Sequence, residues 1–235
     1  MIYRKHNLFF KGGFTLVELA IVLVVISLLL VALMGPLAAQ QEQKAIMDTR
    51  KQMEEAREAL FGFLVANGRL PCPADPALNT SNVAAGLERA GGCALPATQS
   101  GVLPWRALGL KEVDAWGNRF TYRVSSAFAA SPTMTSAGDV RIFADALAAT
   151  QITNTNEVVA VIVSHGRHAD GAWTKNGGQL AASSDAEEAE NSDGNDKFID
   201  HSNTATQPND PYDDLLVWVP RNLVFNKLIA SGRLP

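Results

Sequence analysis

The sequence predicts an α+β protein in which one long N-terminal helix packs on a small head domain built around an antiparallel sheet. Three observations predict it: an apolar run over residues 14–34 that passes into an amphipathic stretch, an irregular loop bracketed by two cysteines, and four later segments with strand character.

From Phe14 to Met34 the chain reads FTLVELAIVLVVISLLLVALM, with Glu18 as its one charge. A helix of that length spans a hydrocarbon layer of about 30 Å, so the first half of the long helix is expected to cross a membrane. Arg4, Lys5 and Lys11 precede it, and the positive-inside rule then puts the N-terminus in the cytoplasm and the rest of the chain outside. A secretory signal peptide also opens with positive charge, but its apolar core runs to only about 7–15 residues. Here the run is longer, an acidic residue interrupts it, and Leu37 of PLAAQ stands where cleavage wants a small residue.

Gly35-Pro36 is expected to kink or loosen the helix. Beyond it, Ile46, Met53, Ala56, Leu60 and Leu64 recur at helical spacing, with Glu54, Glu55, Arg57 and Glu58 between them. One face must therefore be covered. Asn67-Gly68 offers a C-terminal cap and Pro71 forbids continuation, so a single helix is expected from Phe14 to about Ala66, about 80 Å long at 1.5 Å per residue.

The head, residues 68–235, opens with LPCPADPALNTSN, which has neither helical nor strand periodicity. In RFTYRVS, Phe120, Tyr122 and Val124 alternate with Arg119, Thr121 and Arg123, the pattern of a half-buried antiparallel strand. VRIFA (Val140 to Ala144) is a shorter candidate, EVVAVIVS (Glu157 to Ser164) reads as a fully buried strand, and LLVWV (Leu215 to Val219) completes the set. After Pro220 a short helix is expected to end at Gly232. GRLP occurs at both 68–71 and 232–235, and each copy follows a helix, so shared capping chemistry accounts for it.

Composition excludes more than it selects. With 47% hydrophobic and 19% charged residues the chain is ordinary globular material. Its net charge is −4, and the leader's three cations leave −7 for the remainder, so no electrostatic footprint for nucleic acid is present beyond a local pair, Arg119 and Arg123, on one face of a strand. Cys72 and Cys93 are the only cysteines. If the topology places them in an oxidising compartment, a disulfide closing the irregular loop is favoured over two free thiols, and it would contribute about 3 kcal/mol in the chain-entropy model.

The stretch KGGFTLVELAIVLVVISLL resembles the leader and N-terminal helix of type IV pilins and type II secretion pseudopilins. In that family a prepilin peptidase cuts after the glycine and methylates the new amino terminus. The resemblance thus implies cleavage after Gly13, a leader of residues 1–13, and N-methylation of Phe14. It also explains a carboxylate at the start of an apolar run. Such a charge needs a partner, and the resemblance implies that Glu18 pairs with the Phe14 amine of a neighbouring subunit during fibre assembly. GVLPWRALGL followed by DAWGNRFTYRV is similar to the segment that leads, through an Asp-x-Trp-Gly-x turn at Asp114, Trp116, Gly117 and Asn118, into the first sheet strand of pseudopilins and minor pilins, and DDLLVWV resembles their terminal strand. The implied architecture is pilin-like: transmembrane helix 14–34, amphipathic continuation 35–67 and periplasmic head 68–235, held at the bacterial inner membrane by a single pass. Prepilin peptidase, other pilin-like subunits and an inner-membrane assembly platform are the implied partners. The long C-terminal part points to a minor rather than the major subunit.

Chemistry-bearing motifs are sparse. Ser164-His165 is not a nucleophile and base pair, because adjacent strand residues point to opposite faces. His6, His168 and His201 have no partner at ligand spacing, and neither GxGxxG nor GxxxxGK[ST] occurs. The acidic segment SDAEEAENSDGND, Ser184 to Asp196, invites a calcium reading with Asn191, Asp193, Asp196, Asp213 and Asp214 as ligands. Aligned on an EF-hand loop, however, Ala189 takes the first position, Lys197 the ninth and Asp200 the last. Major pseudopilins hold calcium in the corresponding region before their last strand, but this segment does not reproduce that motif, and a solvated acidic loop is the alternative.

The expected function is that of a non-catalytic, fibre-forming subunit of a type II secretion pseudopilus, needing no cofactor apart from the calcium raised above. The alternatives are a minor pilin of a type IV pilus, serving assembly, adhesion or DNA uptake, and a membrane-anchored periplasmic binding protein. An enzyme on such an anchor lacks a recognisable site.

Overall fold

The computed structural model describes residues 13–145, 147, 150–201 and 212–234, the side chains of 31–38 excepted. The expected leader, apart from Gly13, lies outside the described residues. Two compact units make up the chain, 1–44 and 45–235.

Helix α1 covers Leu16–Asn67 and continues through Gly35-Pro36. In the second unit its apolar face is buried: Met53, Ala56, Leu60 and Leu64 are inaccessible to solvent and belong to the main core. The opposite face carries the exposed pairs Arg57–Glu54 and Lys51–Glu55, each contributing only a few tenths of a kcal/mol. Gly68, at φ 73°, ends the helix, with its N–H bonded to the Leu64 carbonyl.

The head continues through two short helices flanking a strand, α2 (Pro96–Gln99), β1 (Ser100–Val102) and α3 (Trp105–Leu108), then β2 (Thr121–Val124) and α4 (Ser126–Ala129). There follow β3 (Arg141–Phe143), β4 (Val158–Ser164), α5 (Ala186–Ser192), β5 (Lys197–Ile199), β6 (Leu215–Pro220) and α6 (Arg221–Ala230). Strands β1, β2, β4 and β6 form an antiparallel sheet in that order, while β3 and β5 pair in parallel as a separate ribbon.

Each face of the sheet has its own core. Tyr122, Val124, Ile162 and Val219 pack with α1 and with Val224, Phe225 and Leu228 of α6. Val161 and Val163 pack on the other side with Val140, with Ile142 of β3 and with Phe198 of β5. A register shift between Val158 and Ala160 puts two consecutive residues, Val159 and Ala160, into the first core and returns Val158 to the second, the local effect of a bulge.

Several expectations need correction. Among the described residues no helix is long and apolar enough to cross a membrane. The helix begins at Leu16 rather than Phe14. The single-pass inner-membrane anchor with a periplasmic head is therefore not supported. Nor does α1 act as one long element packed on a head: the boundary between the compact units falls inside it, after Lys44. The head is also more than a small antiparallel sheet, since it adds a parallel ribbon and several short helices. Finally, β2 is buried on both faces rather than half-buried. It is an inner strand, and its polar side chains are covered, Thr121 by His165 and Arg123 by Asp139, so Arg119 and Arg123 form no basic patch on an exposed face.

Candidate functional site

Two places bear on function, the N-terminal segment and the loops that converge before β6. At the first, Thr15 and Glu18 cap α1 reciprocally. The Glu18 N–H donates to Thr15 Oγ1 at 3.2 Å, and the Thr15 N–H reaches Glu18 Oε2 at 3.5 Å, the Thr-x-x-Glu capping box. Glu18 also lies in the first turn, where the helix dipole favours a negative charge. Gly13 and Phe14 precede the helix and are exposed, Phe14 at 78%. Apolar side chains from Leu16, 88% exposed, through Leu30 remain uncovered on every side of the helix. That is far more uncovered apolar surface than a lone chain in water carries without a partner.

In the head, the expected disulfide is present: Cys72 and Cys93 are bonded, with a Cα–Cα distance of 5.6 Å. Glu88, inside the closed loop, accepts both terminal nitrogens of Arg69 at 2.6 and 3.0 Å and the Cys72 N–H at 2.8 Å. Gly86, at φ 74°, lets that loop close over Trp105, since a Cβ there would lie 2.3 Å from the indole.

The five residues read from the sequence as calcium ligands do not converge on one site. Asn191 is fully engaged by protein. Its amide donates to Asp214 Oδ2 at 2.9 Å, to the Ile199 carbonyl at 3.1 Å and to the Tyr212 hydroxyl at 3.2 Å, and its oxygen accepts from the Ile199 N–H at 2.8 Å. Asp214 is buried 3.6 Å from His165 Nδ1. Asp193 accepts from the backbone and side chain of Asn195, and Asp196 forms a two-point pair with Arg141 at 2.8 and 2.9 Å. Partial burial works to raise the Asp196 carboxyl, but the Arg141 hydrogen bonds and charge prevail and hold it below the usual range.

Asp213 belongs to a different constellation, with Glu188 and His168, in which one ligand atom from each side chain lies within 4.8 Å of the other two. Asp213 Oδ2 accepts the N–H groups of Arg167 and His168 at 2.9 and 3.0 Å and lies 3.1 Å from His168 Nδ1. Glu188 Oε1 accepts the Asp213 N–H at 3.0 Å. Burial raises both carboxyls, Glu188 against the nearby Ser183 hydroxyl and Asp213 against the His168 backbone. Local spacing does not reveal this grouping, because His168 and Asp213 are 45 positions apart and α5 supplies Glu188 only through the fold.

Ser164 and His165 are separately engaged. The Ser164 hydroxyl donates to Asp114 Oδ2, and His165 Nε2 lies 2.8 Å from Thr121 Oγ1. Comparison with protein-family models, with curated proteins and with solved structures gives no match. The resemblance to pilins therefore rests on the residues that carry it, chiefly the N-terminal segment and the Asp114 turn.

Proposed function

We propose that the chain is a non-catalytic, pilin-like structural subunit, cut after Gly13 by a prepilin peptidase, N-methylated on Phe14 and assembled with other such subunits into a type II secretion pseudopilus. The observation that carries the reading is the N-terminal segment itself. A Gly-Phe junction sits directly before a capped helix whose apolar side chains are uncovered all round, with one carboxylate, Glu18, in its first turn. Apolar surface of this kind is stabilised by burial against similar helices at about 25 cal/mol per Å², and a carboxylate within such a bundle requires a cationic partner. A methylated Phe14 amine on a neighbouring subunit is such a partner, and an assembly platform supplies the subunits in order. The head contributes a body whose irregular loop is closed by a disulfide.

Deletion of the gene, assayed side by side for protein export and for surface piliation, tests this reading. Lost export with normal piliation is the expected result. Lost piliation with normal export would identify a minor pilin of a type IV pilus instead, and no change in either would overturn both.

A further inference from the structure

We propose that His168, Glu188 and Asp213 form a binding site for a divalent cation of the zinc class. The donor set is one imidazole nitrogen and two carboxylates, which suits zinc and its neighbours better than calcium, whose sites are built from oxygen alone. Of the residues read from the sequence as calcium ligands, only Asp213 takes part.

The geometry is close to what such an ion requires. Two bonds of about 2.0–2.1 Å at a tetrahedral angle hold their donor atoms about 3.3 Å apart. His168 Nδ1 and Asp213 Oδ2 stand at 3.1 Å, and the Glu188 oxygen completes the group within 4.8 Å. Three protein ligands leave a fourth position for water or for a ligand from another chain.

Independent support comes from Glu188. The residue is only 2% exposed, yet among the described residues its Oε2 has no hydrogen-bond partner, and the same holds for Asp213 Oδ1. A buried carboxylate oxygen without a donor is costly, and a cation removes that cost. The other oxygens are already oriented. Asp213 Oδ2 is held by two backbone N–H groups and Glu188 Oε1 by the Asp213 N–H, the outer contacts that fix ligands in metal sites. Gly166, at φ 54°, clears the space, since a Cβ there would lie 2.2 Å from Asp213 Oδ1. Both cysteines are in the disulfide, so no thiolate competes for the ion.

The test uses the full chain in mild detergent, stripped with a chelator and titrated with zinc chloride, and separately with calcium chloride, while thermal unfolding is followed. Zinc at about 100 times its dissociation constant is expected to raise the unfolding temperature by several degrees, and calcium at the same concentration to have little effect. His168→Ala, at a half-exposed position that tolerates truncation, and Glu188→Gln, which keeps the buried shape, are each expected to weaken zinc binding at least about tenfold in calorimetry. No shift with zinc, an equal shift with calcium, or zinc affinity unchanged in the folded His168→Ala variant would each overturn the site.

Discussion

The Ser164 hydroxyl donates to Asp114 Oδ2 at 2.7 Å, tying the last residue of β4 to the turn that leads into β2. The other carboxylate oxygen of Asp114 accepts the N–H groups of Trp116 and Asn118, both at 3.0 Å, which is the side-chain turn that the Asp-x-Trp-Gly-x pattern implies. Thr49 of α1 accepts the Ala115 N–H of the same turn at 3.3 Å, so the turn is tied both to the sheet, through Asp114, and to the helix, through Ala115.

Asp114→Ala is expected to lower stability by about 2–3 kcal/mol, since it strands two backbone donors and a buried hydroxyl. Asp114→Asn keeps an acceptor for the turn and offers Ser164 a donor, so its effect is expected to be small. The two variants also differ in pH response. Burial raises the Asp114 carboxyl above its ordinary value, against the opposing hydrogen bonds from Asn118 and Ser164. A raised folded value means that the folded state holds the proton more tightly. Its stabilising contribution is then complete below the unfolded value of about 3.9 and is lost as pH rises through the folded one. Urea midpoints measured from pH 3 to pH 7 are expected to show that fall in the wild type and not in Asp114→Asn.

Arg119 is completely buried, and its guanidinium reaches Glu112 at 2.8 and 3.0 Å, the carbonyls of Pro76, Leu78 and Lys175 and the Thr80 hydroxyl, while stacking 4.8 Å from the Trp105 ring. Arg119→Met takes the cation from Glu112 and the guanidinium donors from the Pro76 and Leu78 carbonyls, while Thr80 still donates to Glu112 and to the Lys175 carbonyl, at an expected cost of about 3–5 kcal/mol. Arg119→Lys is expected to recover less than half of it, because an ammonium cannot reproduce the planar fork. Equilibrium urea unfolding of both variants measures this, and a midpoint for Arg119→Lys equal to that of the wild type would show that charge alone suffices.

The Cys72–Cys93 bond closes a separation of 21 residues around a segment with no regular structure over most of its length. Replacing both cysteines by serine is expected to cost about 3 kcal/mol in the chain-entropy model. Glu88→Gln acts on the same loop by removing the charge that Arg69 grips, and the two changes are expected to be less than additive because they release one segment. A double-mutant comparison of thermal midpoints decides between shared and independent action.

How far the sequence foretold this structure depends on the signal. Strong periodicity survived: β4 and β6 fall on EVVAVIVS and LLVWV, and α6 follows Pro220. The three-residue strands β1 and β5 are too short for a period-2 pattern to register and form only because partners exist. Alternation in RFTYRVS marked the polar face correctly but not its burial, since nothing local says that Asp139 and His165 will cover it. In the acidic segment composition was visible and geometry was not. Asp193 and Asp196 turn to Asn195 and Arg141, whereas Glu188 joins a histidine from the turn after β4.

Glu18 separates assembly from local capping. Within the chain its carboxylate accepts from the Thr15 N–H, and glutamine serves that purpose as well as glutamate. If the carboxylate pairs with the Phe14 amine of a neighbouring subunit, charge is what matters, and Glu18→Gln is expected to fail in assembly as Glu18→Ala does. If it only caps the helix, Glu18→Gln behaves as wild type and Glu18→Ala loses a modest amount of helix stability, about 0.5–1 kcal/mol. Cleavage after Gly13 is expected to be normal in both variants, giving a mature chain that begins at methylated Phe14 by intact mass. The deciding measurement is in-cell crosslinking of the three chains to other pilin-like subunits, with leader cleavage scored in the same samples. Assembly through an ion pair predicts that both variants lose about tenfold or more of the crosslinked product, because the neighbour's amine is left without a counter-charge in an apolar bundle. Wild-type crosslinking by Glu18→Gln would confine the residue to its role at the helix start.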